Sequence, residues 1–194
     1  IDPTAFESVY GVINLAGTSL AGNRWTDDYK HELIKSRVST TLLLVKAINS
    51  LISKPKIFSQ HVGIGIYGHR PNETLTEASA TAQRGFIPSL CHEWENALQG
   101  LSPEVRSILV RTGIVLNMKG GYLAKTKLPG RFGFSPLFGN GHQIYSWIHL
   151  YDLCHAIAFM IENQGLEGIL NRTSPNPVSQ SRIARSMTKK FIGF

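Results

Sequence analysis

The chain has 194 residues, 42% hydrophobic and 17% charged, with a net charge of +7 and a pI near 9.6. That length suits one domain with a sizeable core, and the composition is that of an ordinary globular protein. No apolar run approaches the ~20 residues of a membrane span, and residues 1–11 lack the basic start and apolar core of a signal peptide.

Residues 11–17 read GVINLAG. Val12, Ile13 and Leu15 pattern as a buried strand, and Ala16 and Gly17 put no bulk between the backbone and a ligand. Ligands of parallel α/β sheets sit at the carboxyl ends of the strands, so this stretch fits one wall of a dinucleotide cleft. A buried strand followed by a glycine turn fits it too. Thr26 then suits a helix cap, with Asp27 and Asp28 at the positive end. Ile34, Val38, Leu42, Val45 and Ile48 recur at helical spacing as far as Ser50. Lys54 and Pro55 end that pattern. A strand follows around Ile57 and Phe58, then the glycine-punctuated run VGIGIYG at 62–68.

Residues 69–88 are polar and loop-like. Leu90, Trp94, Ala97 and Leu98 mark a second helix, and 105–111 a third strand. The alternation predicts an α/β fold with a parallel, doubly wound sheet. Residues 119–146 are glycine-rich, carry Pro129 and Pro136, and show few helix signals; they read as a substrate-side excursion. WIHLYDL at 147–153 precedes a helix that Asp152 can cap. A short strand at 169–171 and a final helix marked by Ile183, Met187 and Phe191 complete the chain.

Cys91 and Cys154 lie in unlike segments and belong to no metal-spacing motif, which fits reduced thiols in an intracellular compartment, cytoplasmic or mitochondrial. No metal site is expected, since the histidines have no ligand-like partners at suitable spacing. The basic residues look scattered apart from Arg182, Arg185, Lys189 and Lys190, a cluster that suits a solvated helix face. A small-molecule substrate is the expected partner, nucleic acid and membrane are not, and a homo-oligomer is left open.

In this order, NLAG, KSRVSTT, GIYG, RTGIVL, GNGHQIYSWIHLYDL and GILN resemble the extended short-chain dehydrogenases/reductases. More narrowly, they resemble the atypical 39U class, often called the epimerase family protein, over about residues 9–191. RWTDD with KSR, and GNG with WIH, carry most of the signal. The resemblance implies a Rossmann-type fold that binds NADP or NAD, with an NADP-dependent oxidoreductase or epimerase-like activity. By the same comparison the first βαβ unit, with its Gly-rich phosphate turn, is absent and the C-terminal helical segment is cut short. Residues 1–194 then form a single incomplete domain, 1–118 the nucleotide-binding sheet and 119–194 largely the substrate-side lobe. A sheet edge left uncovered is the further expectation.

The resemblance also implies site residues. Leu15, Ala16 and Gly17 match the NLAG backbone that lines the adenine and ribose side of the cofactor. Glu32 and Arg37 match the E-x-x-x-S-R that approaches the cofactor, and Arg has the planar fork that pairs with phosphate. Two independent solvated charges fit those positions equally. Tyr67 matches a residue near the nicotinamide pocket. Arg111 borders the substrate pocket in the family pattern, and an ion pair with a local carboxylate is its alternative. His149 is a further substrate-side candidate, able to act as acid or base near neutral pH.

The catalytic residues stay unknown. The usual system needs a Tyr hydroxyl, a Lys that lowers its pKa and a Ser that holds the substrate oxygen. Val62 and Gly63 stand where the Ser or Thr belongs, Gly85 at the Tyr position and Ser89 at the Lys position. A non-catalytic NAD(P)-binding sensor or scaffold is therefore the alternative function.

Overall fold

A computed structural model describes residues 2–134 and 137–192. Pro136 lies outside the described residues, as does the side chain of Phe191. The chain divides into two compact units. The first comprises 1–70, 74–111 and 161–170, and the second 71–73, 112–160 and 171–194.

The first unit opens with β1 (Gly11–Asn14) and α1 (Asp27–Asn49). Thr26 caps α1 as its residue type predicts, its side chain accepting from the Tyr29 N–H, with Asp27 and Asp28 in the first turn. β2 (Ile57–Gly63) follows and runs into a 3-10 turn at Ile64–Tyr67. α2 (Phe86–Asn96) and β3 (Arg106–Thr112) complete the repeat. The main sheet has the order β1-β2-β3-β7, where β7 is Gly168–Arg172. β1 and β2 are parallel, with Gly11 opposite Ile57 and Asn14 opposite Gln60.

β2 is buried along almost its whole length, as a central parallel strand covered on both faces should be. Phe58 packs with Leu44, Ile48 and Val105, and Val62 with Cys91 and Trp94. Phe58 and Val62 thus point to one side, toward α1 and α2. Burying side chains such as Phe58 and Ile48 stabilises the fold by about 1.5–3 kcal/mol each. β1 stands at the end of the sheet order, and Tyr10, Ile13 and Leu15 are exposed there. Arg106 secures the other part of the unit by donating to the carbonyls of Ile161, Asn163 and Leu166.

The second unit holds β4 (Ile114–Asn117), α3 (Gly121–Arg131), β5 (Ile144–Tyr145), β6 (Trp147–His149) and most of α4 (Leu150–Glu162). β8 (Val178–Ser179) and α5 (Gln180–Ile192) follow. β4 pairs in parallel with β6, and β5 antiparallel with β8. α3 corrects the sequence reading of 119–146 as poor in helix. Gly120, Gly121 and Pro129 masked the pattern, but Gly121 only starts the helix and Pro129 falls in its last turn, two residues before the end. Packing of Leu123 against Ile183 and Met187 of α5 supplies what propensity lacks.

Candidate functional site

The site in the first unit is built on the carboxyl end of β1. Asn14 is buried there, and its side chain works in two directions. Its Nδ2 donates to Gln60 Oε1 (2.9 Å) and Thr41 Oγ1 (3.1 Å), while its Oδ1 accepts from the Ala16 N–H (3.1 Å). Trp94 Nε1 donates to the same Thr41 hydroxyl at 3.1 Å. One polar network therefore joins β1, β2, α1 and α2 beneath the strand end. In a low-dielectric interior such a network rigidifies what it holds. What it holds is the backbone of Ala16, and Leu15, Ala16 and Gly17 stand exposed just beyond it, Leu15 at 64%.

Arg37 packs against the next two residues, Gly17 and Thr18. It is 7% exposed; Nη2 donates to the Thr18 carbonyl (2.8 Å), Nη1 to the Leu33 carbonyl (3.1 Å), and the guanidinium lies over the Trp94 ring at 5.1 Å. Burial pulls its pKa below the usual arginine value. A Cβ on Gly17 would stand 2.9 Å from Arg37 Cζ, so the glycine is what lets the guanidinium close on the loop. Arg37 thus clamps residues 17 and 18. Glu32 accepts from Thr18 Oγ1 at 3.2 Å and lines an open hollow of ≈ 470 Å³ with Arg24, Asp28 and Tyr29. The structure therefore brings Gly17, Glu32 and Arg37 together through Thr18.

Tyr67 and Arg111 form a second group. Arg111 is 4% exposed and makes a two-pronged pair with Glu95, Nε to Oε1 at 2.8 Å and Nη2 to Oε2 at 2.9 Å. Its Nη1 donates to the Tyr67 hydroxyl at 3.0 Å. The bond to Glu95 pushes the Arg111 pKa up. The local-carboxylate alternative is thus the arrangement the fold adopts, and the pair braces the 3-10 turn against α2 and β3. Cys91 is buried in the same cluster as Tyr67 and Trp94, and burial pushes its thiol up to about 11, away from reactive thiolate chemistry.

Ser59 Oγ lies 3.1 Å from His61 Nε2, both buried inside β2, and burial pushes the His61 pKa down to about 4. Their placement explains why neither matches a catalytic position: they are interior to the strand.

The helix start at 85 gives a physical reason for the lost Tyr-x-x-x-Lys pair. Gly85 has φ 104° and ψ 150°, a region nearly restricted to glycine. A tyrosine there would be strained. Ser89 donates its hydroxyl back to the Gly85 carbonyl at 2.9 Å. Gly85→Ala is expected to lower stability by about 1–3 kcal/mol, read as a drop in urea midpoint at constant slope; an unchanged midpoint would mean the turn relaxes freely.

His149, in the second unit, is exposed and accepts from the Tyr151 N–H through Nδ1 at 3.2 Å. It therefore does the capping the sequence assigns to Asp152. Asp152 sits inside the first turn, where its charge still suits the helix dipole.

No protein-family profile matches the chain. Epimerase family protein YfhF of Bacillus subtilis (strain 168) is 35% identical over 178 residues, 91% of this chain and 58% of that protein. Epimerase family protein SAB0724c of Staphylococcus aureus (strain bovine RF122 / ET3-1) is 36% identical over 183 residues, 92% of this chain and 61% of that protein. The crystal structure of human epimerase family protein SDR39U1 (isoform 2) with NADPH superposes with a TM-score of 0.90 at 30% identity, over 95% of this chain and 63% of that one. By sequence and by fold, the chain is a relative of the epimerase family proteins, atypical short-chain dehydrogenases/reductases.

A nucleoside-diphosphate sugar epimerase from Corynebacterium glutamicum is also similar, with a TM-score of 0.80 at 27% identity over 97% of this chain and 39% of that one. The chain thus spans about three-fifths of the length of the two curated family members it matches. The Rossmann-type α/β expectation holds. Sequence reasoning missed Thr41, Gln60, Trp94 and Glu95. An Asn closing an apolar strand was the one visible signal, since a buried amide demands partners.

Proposed function

We propose that the protein is an NADP-dependent (or NAD-dependent) oxidoreductase or epimerase-like enzyme of unknown substrate, and that this chain supplies the adenine and ribose side of the cofactor cleft. The observation that carries the reading is the exposed Leu15–Ala16–Gly17 backbone at the carboxyl end of β1, held by Asn14 beneath and Arg37 behind. A preset, unencumbered backbone at that place fits the flat face of a nucleoside. The NADPH in the human relative's structure supports a nicotinamide dinucleotide as the cofactor.

When bound, a nicotinamide dinucleotide supplies hydride transfer. The chain's part is binding and orientation. Leu15 offers apolar surface, Ala16 and Gly17 allow close approach, and Arg37 fixes the loop rather than offering its buried fork to a phosphate. Tyr67, which the resemblance puts near the nicotinamide, is buried with its hydroxyl held by Arg111 and would act there by fixing the turn rather than by open contact. Gly85 and Ser89, which donate no catalytic proton, favour a second reading: a non-catalytic NAD(P)-binding sensor or scaffold on the same fold.

Calorimetric titration of the whole protein with NADP is expected to give micromolar or tighter binding. Asn14→Leu is expected to weaken it at least about tenfold by releasing Ala16 and taking the amide donor away from Gln60 and Thr41. No heat and no competition at millimolar NADP would sink both readings. Turnover of a carbonyl or sugar-nucleotide substrate, followed by NADPH absorbance, separates enzyme from sensor.

A further inference from the structure

The surplus positive charge is segregated. The second unit's sequence holds nine Lys/Arg and two Asp/Glu, the first unit's eleven of each, so the whole +7 belongs to the second. Its two acids, Glu73 and Asp152, lie outside both α3 and α5. The apolar faces of these helices meet at Leu123, Ile183 and Met187, which leaves the cations outward. Arg182, Arg185 and Lys189 are exposed and recur at i, i+3 and i+7, one stripe along α5. Arg185 also donates to the carbonyl and hydroxyl of Ser181 within the helix.

Past the end of α3 stand aromatic side chains facing water. Phe132 is 72% exposed, Phe134 69% and Phe138 49%. Phe134 and Phe138 are tied to α5 at one point each, Phe134 at Thr188, three residues on from Arg185. Thr188 Oγ1 donates to the Phe134 carbonyl at 3.2 Å, and the Phe138 N–H donates to Gln180 Oε1 at 3.3 Å. Clustered exposed apolar side chains rimmed by charge mark an interaction surface.

We propose that this face docks on an anionic lipid bilayer, Phe132 and Phe134 entering the headgroup–acyl boundary while Arg182, Arg185 and Lys189 lie on anionic headgroups. Interfacial binding adds buried apolar area to attraction by anionic lipid. Each basic side chain close to such a surface raises affinity by about fivefold. The docking is peripheral, since no helix among the described residues is long and apolar enough to cross a membrane. The expectation of no membrane partner rested on the lack of a spanning apolar run, which does not bear on peripheral docking; the fold gathers the surplus positive charge onto one unit. A nucleic acid would find the same cations and rings to stack on, but exposed Leu137 adds aliphatic surface that suits an acyl boundary rather than a base.

Sedimentation of residues 1–194 with sucrose-loaded vesicles tests this. Vesicles of phosphatidylcholine with about 30% phosphatidylserine are expected to bind at least tenfold more tightly than phosphatidylcholine alone, with loss at high salt. Arg182→Gln, Arg185→Gln and Lys189→Gln together are expected to weaken binding at least tenfold, and Phe134→Ser to weaken it without removing the salt dependence. Circular dichroism confirms that the variants fold. No binding, equal affinity for both vesicles, or binding untouched by the triple variant overturns the proposal. A single-stranded oligonucleotide bound more tightly than the vesicles, and lost in the same triple variant, overturns it in favour of nucleic acid. Should the triple variant not fold, salt-insensitive binding by the unaltered chain overturns it alone.

Discussion

Glu95→Ala lowers the free energy of unfolding by about 3–5 kcal/mol, because it leaves the Arg111 guanidinium buried without its counter-charge. The pair is secluded, with side chains 4% and 13% exposed, and both contacts are below 3 Å. Exposed ion pairs are worth about 1 kcal/mol or less, so burial decides the size of the effect. Removing both charges tells a different story. Glu95→Leu with Arg111→Met is expected to recover most of the loss, since a buried pair repays its own desolvation poorly. Urea unfolding of the two single variants and the double variant measures this. A single-variant loss below about 1 kcal/mol would show the pair to be solvated. Recovery in the double variant would also separate stability from any part Arg111 plays toward substrate, because substrate binding would stay impaired.

The second large effect is one of pH. His61 is 6% exposed, and burial holds its pKa down to about 4 against an ordinary 6.5. The unfolded chain therefore binds the proton more readily than the folded one. Stability contributed by neutral His61 is present in full above about pH 6.5, is lost as pH falls toward 4, and changes no further below that. The difference corresponds to ~3 kcal/mol. Urea midpoints between pH 7 and 4 should fall for the native sequence and fall less for His61→Leu. Parallel slopes in the two proteins would show that His61 keeps its ordinary titration.

Much of the fold was legible because its signals are local. Thr26 with Asp27 and Asp28 marks a helix start through hydrogen bonding and dipole, and the cap forms as the residue types require. Ile57 and Phe58 marked β2, and burial on both faces carries the strand on through the polar Ser59, Gln60 and His61. Residues 121–131 were illegible because glycines and a proline outweigh local propensity, and only α5 supplies the surface that makes a helix pay there. His149 as the cap of α4 was hidden for the opposite reason: Asp152 is the better capper by type, but sits three residues too late.

The site divides along the same line. Leu15, Ala16 and Gly17 could be placed at a ligand edge from the strand pattern and the family resemblance, and the fold does expose them at the end of β1. The partners that hold them could not. Asn14 finds Thr41 and Gln60 at separations of 27 and 46 residues, and Arg111 finds Glu95 across 16. Nothing in spacing or composition encodes such pairs.

By itself, then, the sequence determined a strand ending in small residues, the alternation that builds a parallel sheet, and the kinship with epimerase family proteins. These rest on periodicity, caps and motif order, all readable along one dimension. Tertiary structure alone decided that Arg37 is a clamp and Arg111 a buried brace, that Gly85 excludes a tyrosine by its backbone angle, and that the net surplus of seven positive charges belongs to one unit. Each depends on which distant groups the fold brings within a few ångströms, and on how far it removes them from water.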